Sequence, residues 1–124
     1  MAIDLIAKFS VINTFDLAEA ETMFAPFLAP DERVRLAYTN VRDKVVFTDK
    51  KIITLDVQGF TGKKQEFRFF PYSKISSFSV ETAGTFDFDS DFKIWMSGVG
   101  CFEIKFGTKV DIKTLGSFLF EKVQ

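Results

Sequence analysis

Residues Lys44–Phe78 read KVVFTDKKIITLDVQGFTGKKQEFRFFPYSKISSF, and their alternation of apolar and polar side chains, broken at short intervals by turn residues, decides the fold class. Val45 and Phe47 fit the buried side of one strand, Ile53, Leu55 and Val57 that of the next, and Phe67 and Phe69 that of a third. A period of two puts successive side chains on opposite faces, so Thr54, Asp56 and Arg68 are expected to face water. Thr48-Asp49-Lys50 supplies one reversal. Gly59-Phe60-Thr61-Gly62 supplies the next, its glycines providing the positive φ that a tight hairpin needs. Pro71 closes the segment because it cannot donate into a ladder.

Upstream, Val34, Leu36 and Tyr38 alternate with Arg33 and Arg35, and Arg42-Asp43 turns that strand into the next. Residues 1–28 read as a helical extension. In NTFDLAEAETMF, Asp16 and Glu19 have capping-box spacing, Leu17, Ala20 and Phe24 recur at helical period, and Pro26 ends the run. A shorter helix is expected over Ala2–Phe9. Downstream, Phe78 and Val80 mark a strand closing at Gly84. Phe92, Ile94 and Met96 alternate with Lys93, Trp95 and Ser97, and after Gly98-Val99-Gly100 the pattern Phe102, Ile104, Phe106 marks a last strand. Asp111 can cap a helix over 111–123 with the stripe Ile112, Leu115, Leu119 and Val123. The expectation is one mainly β domain over 1–124: about seven antiparallel strands within 32–107, forming a partly open barrel or sandwich, closed by the terminal helix.

Composition agrees. A chain of 124 residues can bury a core without disulfides or metal, and 17 phenylalanines against two tyrosines and one tryptophan make that core Phe-rich. Its formal charge of −1, from 16 basic and 17 acidic residues, argues against nucleic acid as a partner. Cys101 is the sole cysteine, which excludes an intrachain disulfide or cysteine zinc site and points to a reducing cytosol. The N-terminus, MAIDLIAKF, does not read as a secretory signal, and no apolar run approaches the ~20 residues of a membrane span. The chain contains no histidine, the commonest general base, so an enzyme is not expected, nor is a cofactor.

Three motifs invite sharper readings. Gly62-Lys63-Lys64 has a phosphate-loop flavour, but it joins two strands instead of feeding a helix, so a hairpin with solvated lysines is preferred. Asp87, Asp89 and Asp91 stand two apart, like the start of a calcium loop. Such a loop would put Phe92 and Gly98 where glycine and a bidentate glutamate are required, so no metal is assigned. Cys101, at a strand start with no histidine in the chain, reads as structural.

The segments LAPDERVRLAY, RDKVVFTDKKIITLDVQGFTGKK, FPYSKISSFSVETAG and FDFDSDFKIWMSG, over roughly residues 25–123, resemble the bacterial pleckstrin-homology domain family, a family of unknown function. The most specific matches are Arg42-Asp43, Phe47-Thr48, the hairpin from Asp56 to Lys64, Pro71-Tyr72 and the run Glu81 to Gly84. Phe69-Phe70 departs from the smaller pair expected there and makes that strand end unusually aromatic. The resemblance implies a PH-like barrel and ring-like homo-oligomers. Parity adds candidate contacts: Trp95, Phe70 and Ile52 fall opposite the presumed core of their strands, to be covered by another subunit or by the N-terminal helices. The preferred function is a non-enzymatic assembly module, with self and an unidentified protein as partners. The alternative is a peripheral module binding anionic lipid through Arg42, Lys44, Lys50, Lys51, Lys63 and Lys64, although phosphoinositide-binding relatives cluster more cations at the first hairpin.

Overall fold

The structure is a computed structural model that describes residues 5–11, 13–59, 61–82, 90–107 and 109–123. It forms two compact units, one of Thr14–Pro71 and one joining Met1–Asn13 to Tyr72–Gln124.

In the first unit, helix α1 (Leu17–Phe24) starts where Asp16 accepts the Glu19 N–H at 3.0 Å. It gives way to a single tight turn, Ala25–Phe27, that contains Pro26. Strands β3 (Val34–Thr39), β4 (Lys44–Thr48), β5 (Lys51–Gln58) and β6 (Lys64–Pro71) follow as an antiparallel meander. With the two-residue β2 (Asn13–Thr14) they make a sheet ordered β2-β3-β4-β5-β6. α1 lays Ala20 and Phe24 on Val34, Ala37, Val46, Ile53 and Leu55. Leu17, expected on that stripe, is exposed instead. Register shifts between Val34 and Leu36, which is why Ala37, not its expected neighbours Leu36 and Tyr38, joins Val34 in this cluster: one irregular residue inverts parity.

Burial corrects a second expectation. Every residue of β4 and all of Ile52–Leu55 are buried, so this part of the sheet is covered on both faces. Thr54, expected in water, is buried and its hydroxyl has no hydrogen-bond partner. Lys44 is buried as well, its ammonium 5.1 Å from the centre of the Phe15 ring and donating to the Val41 carbonyl at 3.5 Å. Alternation tells which side chains share a face; it does not tell which face is wet.

The second unit holds a four-stranded sheet ordered β1-β9-β8-β7, from β1 (Leu5–Val11), β7 (Ile75–Glu81), β8 (Ser90–Met96) and β9 (Gly100–Phe106). β1 overturns the helix expected over Ala2–Phe9, so that of the helical extension read over 1–28 the later part, α1 and the turn after it, is helical. It pairs in parallel with β9 and sets the Phe9 ring, tilted, 5.5 Å from that of Phe102. A short apolar run without a cap takes the state that satisfies its backbone, and here the β9 edge offers that partner. In β8 the alternation is as expected, with Phe92, Ile94 and Met96 buried; in β9 Cys101 is buried beside Phe102. The Gly84 strand end and Phe86, Asp87, Phe88 and Asp89 lie outside the described residues. Helix α2 (Ile112–Lys122) is capped by Asp111, which accepts the Lys113 and Thr114 N–H groups, and it buries Ile112, Leu115 and Leu119.

Candidate interaction surface

The aromatic residues of β6 form a partly exposed ring cluster in the first unit. β6 is an edge strand, and register sets Phe69 opposite Ile53 and Phe67 opposite Leu55, on the face that α1 covers. That cover ends with the Ala25–Phe27 turn. Phe27 lies 4.7 Å from Phe67 and 5.2 Å from Phe69 between ring centres, and Phe67 meets Phe24 edge-on at 5.9 Å. Phe69 is last in the row and stays 43% exposed. Its neighbour Phe70 is only 7% exposed and Ile52, opposite Phe70, 1%. Parity therefore sorted these residues onto the right faces but assigned water to a face that is buried. Ile52 and Phe70 are core residues and cannot offer a surface. Trp95, between Ser77 and Cys101 in the second unit's sheet, is half-buried.

The six basic residues separate into different environments. Lys44 is buried, and Lys51 is bound 2.8 Å from the carboxylate of Glu32. Lys50 pairs with Asp31 at 3.1 Å. Arg42 donates to the Gly59 carbonyl at 2.6 Å, tying the β3–β4 turn to the β5–β6 hairpin near exposed Lys63 and Lys64. Three exposed cations remain at that end, one already engaged.

Glu32, which sequence reasoning passed over, is the buried electrostatic centre of this unit. Its side chain is fully covered and accepts from the Ala29 N–H at 2.9 Å, from Lys51, and from the Thr48 hydroxyl. Burial opposes its charge, but Lys51, Thr48 and Ala29 together outweigh that cost and hold the carboxyl below its usual range. Thr48 Oγ1 in turn accepts the Lys50 and Lys51 N–H groups, each at 3.0 Å. The network fastens the residues after α1 to the β4–β5 turn, a structural task. The spacing of an acid two residues after Pro30 carried no signal that it would be internal.

No catalytic or metal constellation emerges from these groups. Among the described residues no cluster of three or more metal-ligating side chains occurs. Cys101 is buried, and that burial, followed by the charge of Glu103, pushes its thiol above the ordinary value and away from the reactive thiolate. No helix among the described residues is long and apolar enough to cross a membrane.

A four-stranded meander, a further three-stranded meander and a terminal amphipathic helix define a PH-like β protein. The chain belongs to the bacterial PH domain family, whose model matches residues 4–123. Its sequence is 52% identical over 86 residues to the uncharacterized protein YjqA of Bacillus subtilis, covering 69% of each chain. It is 32% identical to the uncharacterized protein YozO of the same organism, over 90% of this chain and 92% of that one. Among solved structures it is similar to a DUF1696 family protein with a pleckstrin-homology domain from Shewanella loihica. That likeness has a TM-score of 0.84 and 33% identity, and covers 94% of this chain and 99% of the other. A pleckstrin homology domain from Shewanella amazonensis gives a TM-score of 0.71 at 37% identity, over 89% and 90% of the two chains.

Proposed function

We propose that the chain is a non-enzymatic interaction module of the cytosol that assembles with copies of itself into a ring-like homo-oligomer. The observation that carries this reading is Phe69: a large aromatic side chain, 43% exposed, on the strand that ends its sheet among the described residues and backed by the Phe27 ring, which itself packs on Phe67. Aromatic anchors backed by packed neighbours are what the centres of protein interfaces use. Half-buried Trp95 is a second candidate contact. The lack of histidine and the buried, raised thiol of Cys101 support the non-enzymatic part.

Light scattering tests it. The wild type should show a mass of several 14.1 kDa subunits. Phe69→Ser should move it toward monomer with an unchanged circular dichroism spectrum, since truncating a central anchor costs on the order of 2 kcal/mol. Trp95→Ala should do so to a smaller degree. A wild type that stays monomeric at about 100 μM, where even micromolar interfaces are occupied, would rule the assembly out.

A further inference from the structure

The outer edge of β7 and the adjoining face of α2 form a second surface, independent of the Phe69 cluster. β7 ends its sheet and pairs only with β8 among the described residues, so one line of its backbone N–H and C=O groups has no strand partner. Soluble proteins usually guard such an edge with lysine, proline or a charged inward residue. The β6 edge has Lys64 and Pro71, and β1 has Lys8. β7 reads ISSFSVE, with no lysine or proline and its single charge at the last position. Its ladder is irregular only between Ile75 and Ser77 and regular from there to Glu81.

Beside this edge, and lined also by Ile112 of the core-facing stripe, lies a groove of about 680 Å³ between Phe78 and Val80 on β7 and a second stripe of α2. The middle of that stripe is small, Gly116 and Ser117, and a Cβ placed on Gly116 would meet Val80 only at ordinary contact distance, 3.8 Å. Phe120 stands at one side, 75% exposed, the most exposed aromatic among the described residues. The stripe begins at Lys113 and ends at Glu121. These opposite charges are about 12 Å apart at the helical rise, the reach of about four extended residues.

We propose that this edge and groove bind an extended peptide segment of another protein, which adds as a fifth strand beside β7. Its backbone would take up the unpaired β7 groups, as in strand addition generally. Its alternate apolar side chains would enter between Val80, Gly116 and Phe120. An acidic and a basic residue four apart would meet Lys113 and Glu121. A free strand edge selects an extended backbone, the apolar floor selects alternation, and the two rim charges select the flanking signs. The proposal deepens the module reading by naming a partner class, but it uses a different surface, so light scattering on Phe69→Ser bears on the assembly and not on this site.

The test uses the full chain and a fluorescein-labelled nonapeptide of alternating valine and threonine in which one glutamate and one lysine stand four apart. Anisotropy should report saturable binding, and hydrogen exchange should show alternate β7 amides slowed when the peptide is present. Phe120→Ser and Gly116→Leu should each weaken binding about tenfold. The first removes an exposed side chain and leaves the fold intact, and the second fills the groove. Lys113→Glu paired with Glu121→Lys should weaken the original peptide and restore binding to one with its two charges exchanged. No binding up to about 1 mM, a ceiling near 4 kcal/mol, would overturn the proposal. So would affinity indifferent to both groove variants, unchanged β7 amides, or a Phe120→Ser protein whose oligomer dissociates, since that would give the groove to a second copy.

Discussion

Val41 has a backbone φ of 86° while its β-branched side chain is 85% exposed. Left-handed backbone costs an ordinary L-residue about 1–2 kcal/mol, and Val gains no burial here to offset it. The turn is imposed by its neighbours: Asn40 Oδ1 accepts the Arg42 and Asp43 N–H groups, and Thr39 Oγ1 accepts that of Val41. Val41→Asn keeps the loop and suits its conformation, so the melting temperature should rise by a few degrees; an unchanged or lower value would place the strain elsewhere. At Glu32 the sign of the pH dependence follows from a folded pKa below the unfolded one. The stabilisation is then complete above the unfolded value and is lost as pH falls through the folded one. Glu32→Gln should lower stability at neutral pH by roughly 1–3 kcal/mol, the cost of disrupting a buried hydrogen-bonded charge. It should also flatten the acid limb of the unfolding curve. An acid limb that is the same in both proteins would assign that limb to other carboxylates.

At the scale of elements, the β5–β6 hairpin shows both what a sequence discloses and what it withholds. Gly59 and Gly62 take φ values of 78° and 68°, as the spacing of two glycines between alternating runs implied. Gly59→Ala meets open space and Gly62→Ala meets Val57 at 3.5 Å, so backbone strain dominates at both. Each should cost about 1 kcal/mol, and full melting stability in both variants would show that neither φ is enforced. Turn residues and strand period are local properties, which is why the meander, α1 and α2 were legible. The state of residues 5–11 was not, because it depends on a pairing with β9 about 95 positions away. Which face of β5 and β6 is dry is equally non-local. Ile52 and Phe70 were placed on the face opposite Ile53 and Phe69, correctly, and that face turned out to be core. The aromatic pair Phe69-Phe70 was visible as an oddity, but only burial showed that Phe69 is its exposed member. Glu32 and Thr54, polar and internal, left no trace in the pattern at all.

For the whole molecule, charge decides how the chain relates to a lipid surface. Its net charge is −1, and of the six basic residues that sequence grouped as lipid contacts, Lys44 is buried and Lys51 is committed to Glu32. Lys50 shares its charge with Asp31. Arg42, Lys63 and Lys64 remain, and a cation beside an anionic leaflet is worth about 1 kcal/mol. Three of them sum to about 3 kcal/mol, short of the roughly 4 kcal/mol of a millimolar dissociation constant. Arg42 is moreover held to the Gly59 carbonyl. Sedimentation with vesicles rich in phosphatidylserine should therefore leave the protein in the supernatant at about 0.15 M salt, where the Debye length is near 8 Å. Lowering the salt should add little, and Lys63→Glu with Lys64→Glu should behave as the wild type. Vesicle binding that is strong at low salt, falls steeply as salt rises and vanishes in that double variant would show that the hairpin end is a lipid site, whether or not the chain also assembles.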